Sequence, residues 1–167
     1  NAGRNNQTGN YNVFVGSKAG ATNSTGSANI MIGRFAGYQN QCGSCNIIIG
    51  CDAGYGGTES CHNVFIGSEA GRNYTSGCGS NTFVGSFAGS CGTSSSFFKS
   101  TFVGFEAGLC SENEHNTFLG YAAGRNIRGT NATCGKWNTF VGSCAGYGGG
   151  INCSLSNTAI GYLSLSS

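Results

Sequence analysis

The chain has 167 residues, of which 31 are glycine and none is proline, and charged residues make up only 8% of it, with a net charge of +2. The lack of proline excludes collagen and polyproline structures, whose backbone depends on that residue. The low charge predicts no binding of nucleic acid or of anionic membrane surfaces. No apolar run reaches the roughly 18 residues of a membrane-spanning helix, so no membrane span is expected.

A short cassette dominates the sequence. Its pattern is Asn-(Thr/Val/Ile)-Phe-(Val/Ile)-Gly-x-x-Ala-Gly, and it recurs nine times at steps of 16 to 22 residues. The copies begin at Asn12, Asn29, Asn46, Asn63, Asn81, Ser100, Asn116, Asn138 and Asn157. A short, nearly constant period is typical of a solenoid, in which each repeat forms one coil and stacks on the next. We predict a single repeat domain over residues 1–167, either whole or as a fragment of a longer array.

The second to fourth positions of each cassette predict a short β-strand. They are apolar or β-branched, as in Val13-Phe14-Val15, and a glycine follows them in every copy. This composition is typical of a strand that ends at a tight corner. Strands stacked about 4.8 Å apart would form a rod about 40 Å long. The predicted fold is all-β: a parallel β-solenoid of about nine coils, mostly of 17–19 residues, with turn-rich return segments and disulfide staples.

Three consecutive apolar positions conflict with a coil that buries only one side of its strand. Side chains alternate across a strand, so Ile47-Ile48-Ile49 must place an apolar ladder outside: either the third position or its two neighbours. A continuous exposed apolar stripe marks an interface, so we predict self-association through it. We assign the stripe to the third position, which consists of Phe14, Met31, Ile48, Phe65, Phe83, Phe102, Phe118 and Phe140.

Ten cysteines in so short a chain predict an oxidising compartment and a disulfide framework. Stacked coils hold equivalent Cα atoms about 4.8 Å apart, a separation that a disulfide can span. Matching places in successive coils predict the bridges Cys91–Cys110, Cys61–Cys78 and Cys134–Cys153, which leave Cys42, Cys45, Cys51 and Cys144 unassigned.

The segment Cys42-Gly43-Ser44-Cys45 has the Cys-x-x-Cys spacing of redox and zinc sites. It lacks a second cysteine pair at zinc-finger spacing and a nearby histidine, so we favour structural disulfides and assign no metal.

Five Asn-x-Ser/Thr sequons predict N-glycosylation if the chain is secreted by a eukaryotic cell. All five lie outside the apolar cassette, in segments expected at the surface: Asn6, Asn23, Asn73, Asn131 and Asn152. The large aromatic residues Trp137, Phe97 and Phe98 also lie in return segments, where they could contact a glycan or a partner or could cover the end of a coil.

An enzyme is not expected. His62 and His115 lie in different coils, Asp52 is the single aspartate, and no Gly-x-Ser-x-Gly motif occurs in a strand-turn-helix setting. We therefore assign no catalytic residue and no cofactor.

The cassette Asn81-Thr82-Phe83-Val84-Gly85-Ser86-Phe87-Ala88-Gly89 resembles repeats of phage tail-fibre-like and bacterial surface proteins. It is also similar to the β-roll repeats in the heads of trimeric autotransporter adhesins. The resemblance covers essentially the whole chain and implies an extracellular, elongated, self-associating structural or adhesive module. The ten cysteines depart from those families and leave a eukaryotic extracellular fibre open.

The expected function is therefore that of an extracellular or secreted structural repeat protein, which forms a fibre, a stalk or a cell-surface appendage by binding copies of itself. A glycan-binding, adhesin-type module is one alternative. The other is an ice-binding solenoid, because the second position forms a threonine row over Thr82, Thr101, Thr117, Thr139 and Thr158. That row is replaced by valine or isoleucine in the first four coils, and it lacks a second threonine two residues on.

Overall fold

A computed structural model describes residues 1–74, 79–91, 99–111, 114–127, 135–148 and 155–166. In this part of the chain nine three-residue strands follow one another: β1 Val13–Val15, β2 Ile30–Ile32, β3 Ile47–Ile49, β4 Val64–Ile66, β5 Thr82–Val84, β6 Thr101–Val103, β7 Thr117–Leu119, β8 Thr139–Val141 and β9 Thr158–Ile160. Each strand occupies the second to fourth positions of a cassette. All of them pair in parallel and in sequence order in one sheet, which confirms the predicted parallel β-solenoid.

Neighbouring strands pair in register, with each cassette position opposite the same position of the next coil. Phe83 of β5 pairs with Phe102 of β6, and Phe102 pairs in turn with Phe118 of β7. The register also holds between β7 and β8, where the cassettes are 22 residues apart. Each cassette position therefore forms a ladder of equivalent side chains along the solenoid axis.

The third-position ladder lies inside the coils, so the assignment of the exposed stripe to it was wrong. Phe14 is partly buried and packs against the core, and the other members are at most 3% exposed: Met31, Ile48, Phe65, Phe83, Phe102, Phe118 and Phe140. Rings in successive coils stack with centroids 4.7–5.1 Å apart. A buried phenyl ring removes more apolar area from water than a valine or threonine does, and the two neighbouring positions then face outward.

Small residues on the opposite wall make room for these rings. The alanine at the eighth position is fully buried, as at Ala107. A Cβ added to the following glycine, Gly108, would lie 2.5 Å from Cε2 of Phe102. The Ala-Gly pair that ends each cassette is therefore the complement of the aromatic ladder, because a larger residue would enter the space of the ring.

The first position forms a buried ladder of asparagine side chains. In the part of the chain around β4, the amide Nδ2 of Asn63 donates to Oδ1 of Asn46 at 3.1 Å. Oδ1 of Asn63 then accepts from the backbone N–H and from Nδ2 of Asn81 at 3.0 and 3.1 Å. Buried polar groups need such partners, and here the equivalent residue of the next coil supplies them. The regular spacing of the ladder thus places hydrogen bonds between successive coils beside the apolar core.

Candidate interaction surface on the outer sheet face

The second- and fourth-position side chains form one face of the sheet, which we call the outer face. Seven of its large aliphatic residues are exposed: Val13, Val15, Ile30, Ile47, Ile66, Leu119 and Ile160. The predicted surface stripe is therefore present, but on the two ladders that flank the phenylalanines.

The outer face changes in polarity along the solenoid axis while its shape stays nearly constant. The fourth position is aliphatic in every coil, whereas the second position changes from Val64 in β4 to Thr82 in β5 and remains threonine through Thr158 in β9. Valine and threonine have similar shapes, so the change replaces a methyl group by a hydroxyl group without altering the surface relief. From β1 to β4 the outer face is therefore apolar at both positions. From β5 to β9 each strand presents a threonine at the second position and an aliphatic residue at the fourth.

The dimensions of the outer face suit contact with another sheet. Nine strands about 4.8 Å apart and two outward positions about 7 Å apart give an area of roughly 40 by 12 Å. Two such faces in contact would bury about 1,000 Å² in total, which is about the minimum expected of a biological interface.

The residue that precedes each cassette lines one side of the outer face, and we call this series the rim ladder. It consists of Tyr11, Ala28, Cys45, His62, Ser80, Lys99, His115, Trp137 and Ser156. Each of these residues has a positive φ angle, between 47° and 61°, so the chain turns there in every coil. Trp137 thus lies at the edge of the sheet two residues before β8 begins, whereas the sequence had placed it only within a long return segment. The fixed offset from the cassette asparagine is the signal that could have located it.

Glycosylation at Asn23 is contradicted by the structure. Its side chain is fully buried, and its Nδ2 atom donates to Oδ1 of Asn6 at 2.8 Å and to the carbonyl of Gly26 at 2.9 Å. The acceptor nitrogen therefore belongs to a second, internal asparagine ladder, and an attached glycan would separate the coils. Asn6 and Asn73 are exposed and remain predicted sites, while Asn131 and Asn152 lie outside the described residues.

The predicted disulfides fall partly outside the described residues, which do not include Cys78, Cys134 or Cys153. Cys91 and Cys110 lie at equivalent places in successive coils, each two residues after the glycine that ends its cassette. The coils are joined just before these cysteines, where the N–H of Gly89 bonds to the carbonyl of Ala107. Their pairing stays a prediction.

The first cysteine of the Cys-x-x-Cys segment, Cys42, is exposed. Partial desolvation, followed by the nearby Glu59 and Cys61, raises the pKa of the Cys42 thiol. A raised pKa disfavours the thiolate, which is the nucleophilic form of a cysteine.

The charged side chains are largely engaged with one another on the surface. Arg72 pairs with Glu69 at 3.1 Å, and Arg125 pairs with Glu106 at 2.6 Å across successive coils. Within the residues that the structure describes, no group of three or more histidine, cysteine or acidic side chains is arranged to hold a metal ion. The same residues include no helix that is long and apolar enough to span a membrane. Phe97 and Phe98 are not among them.

Comparison with known proteins gives no match: no family, no curated protein and no solved structure is significantly similar to this chain.

Proposed function

We propose that this chain is an extracellular structural repeat protein that associates with copies of itself through the outer face to build a fibre, a stalk or a surface appendage. The observation that carries the proposal is the uninterrupted aliphatic fourth-position ladder, which runs from Val15 in β1 to Ile160 in β9 and is exposed or partly exposed in every coil. Contiguous exposed apolar patches of this extent mark interaction sites. A second copy supplies a partner with the same flatness and the same repeat spacing.

The cysteines support the extracellular part of the proposal. Ten cysteines are far more than a reduced compartment favours in a chain of 167 residues. Bridges such as Cys91–Cys110 would link adjacent coils, which suits a solenoid whose core is thin in each repeat. Non-reducing mass spectrometry of the native protein would test the pairing directly.

Isoleucine-to-threonine changes test the self-association. We expect the double variant Ile30→Thr, Ile47→Thr to associate at least tenfold more weakly than the parent, because it replaces two exposed isoleucines of the outer face by a polar residue. The coil should still form, since threonine occupies this ladder position in β5 to β9. Light scattering across micromolar concentrations measures the association, and circular dichroism checks the fold.

The reciprocal variant Thr101→Ile, Thr117→Ile is the matched control and should associate more strongly than the parent. A parent protein that stays monomeric at micromolar concentration, or an Ile→Thr variant that assembles as the parent does, would contradict the proposal.

Ice binding is a second candidate function because the threonine row is in register over five successive strands, β5 to β9. Hydroxyl groups on a flat sheet then repeat about every 4.8 Å, as a regular water-ordering surface requires. Thermal hysteresis of the native protein separates this function from assembly: a fibre protein has none.

A further inference from the structure

The rim ladder contains a platform of two aromatic rings in coils 7 and 8. The imidazole of His115 stacks against the indole of Trp137 with centroids 6.2 Å apart and an interplanar angle of 28°. The backbone N–H of Trp137 bonds to the carbonyl of Glu114 at 3.4 Å, which fixes the two turns against each other. Trp137 is nevertheless 54% exposed, so an ordered indole presents a large part of its surface to solvent.

An ion pair lies next to the platform. Lys136 Nζ lies 2.5 Å from Oε1 of Glu114, and the second carboxylate oxygen lies 3.5 Å from Nδ1 of His115. The Lys136 and Glu114 side chains are mostly buried, at 16% and 23% exposure. Because the two charges are paired, they leave the surroundings of the two rings without a net negative charge.

The next rung of the rim ladder, in coil 9, is a small residue. His115 lies on the coil 7 side of Trp137, so the opposite side of the indole is turned toward coil 9, where the rung is the exposed Ser156. The two coils are in contact there, because the N–H of Ser156 bonds to the carbonyl of Lys136 at 3.1 Å. We call the surface between Trp137 and Ser156 the ledge. Thr139 and Thr158 follow two residues later in their coils, at the second cassette position, and carry hydroxyl groups.

We propose that this ledge binds a neutral, β-linked oligosaccharide, with one pyranose ring against Trp137 above Ser156. The faces of a β-linked glucose unit consist of C–H groups with a small positive charge, and these suit the negative face of an indole. Its equatorial hydroxyl groups point sideways, where Ser156, Thr139 and Thr158 can donate or accept hydrogen bonds. An exposed aromatic ring with a few convergent polar groups is the composition expected of a ligand site. The proposal does not rest on self-association, although Thr139 and Thr158 belong to the outer face.

The chain's single tryptophan makes the site observable, because any change in indole fluorescence reports on Trp137. Titration of the native protein with cellohexaose, a β-1,4-linked glucose hexamer, should give a saturable change in emission. The variant Ser156→Tyr fills the ledge and should weaken binding at least tenfold. It should fold normally, because Tyr11 occupies the equivalent rung of coil 1.

The variant Ser80→Tyr is the matched control, since it makes the same change at the rim ladder of coil 5 and should leave the titration unchanged. Calorimetry with Trp137→Ala should show the same loss as Ser156→Tyr, and Tyr11→Ala should not. The proposal is overturned if cellohexaose produces no saturable change in the native protein, or if Ser156→Tyr binds it as tightly as Ser80→Tyr does.

Discussion

Replacing Gly104 with alanine should lower the free energy of unfolding by more than about 4 kcal/mol and the melting temperature by more than about 10 °C. Gly104 follows β6 with a φ angle of +137°, a backbone conformation that costs about 1–3 kcal/mol for a residue with a side chain. An added Cβ would also lie 2.7 Å from the carbonyl carbon of Gly120 in the next coil. Because that neighbour is backbone, it cannot rotate away, and the two coils must separate.

The same change at Gly161 separates the two causes. Gly161 occupies the equivalent place after β9 with a φ angle of +120°, but an added Cβ would have no atom within 4 Å. Gly161→Ala should therefore cost only the backbone strain, about 1–3 kcal/mol. Thermal and urea unfolding of both variants measure the difference. Equal losses at the two sites would show that close stacking of the glycine corners does not limit stability.

Removing one residue of the first-position asparagine ladder should be the second most damaging change. We expect Asn63→Ala to cost about 3–5 kcal/mol, because each buried group that loses its hydrogen-bond partner contributes about 1–3 kcal/mol. Asn63 accepts two hydrogen bonds from Asn81 and donates to Asn46 and to the carbonyl of Cys61. Its loss affects the coil on each side. Urea unfolding followed by circular dichroism gives the free energy.

Serine at the same position should recover at least half of that loss. Ser100 naturally replaces asparagine in coil 6, where its N–H donates to Asn81 Oδ1 at 3.0 Å and its hydroxyl accepts from the N–H of Asn116 at 3.2 Å. Asn63→Ser therefore keeps an acceptor for the next coil, whereas Asn63→Ala does not. If both variants unfold at the same urea concentration, the ladder contributes through side-chain volume and not through hydrogen bonding.

Much of the fold could be predicted from the residues because the same strand-forming pattern recurs nine times. A β-branched or aromatic triplet followed by glycine specifies a strand and a corner, and the period specifies stacking. The same pattern failed at Asn23, where a sequon in a polar segment suggested exposure. There the side chain donates to Asn6 of the preceding coil as well as to the carbonyl of Gly26 in its own coil, and a contact between coils has no signature in a short stretch of sequence.

The sequence by itself determined the strands, their parallel order and the existence of an exposed apolar ladder. It could not determine which ladder is exposed, because Ile47-Ile48-Ile49 is apolar on both sides of the strand and alternation allows either orientation. The stacked coils decided it. The Ala-Gly wall leaves space for a ring at the third position, as Gly108 does for Phe102, and the buried first-position asparagines, which point the same way, satisfy one another, as Asn63 and Asn81 do. These constraints together turn the valine, isoleucine and threonine ladders outward, where they form the outer face.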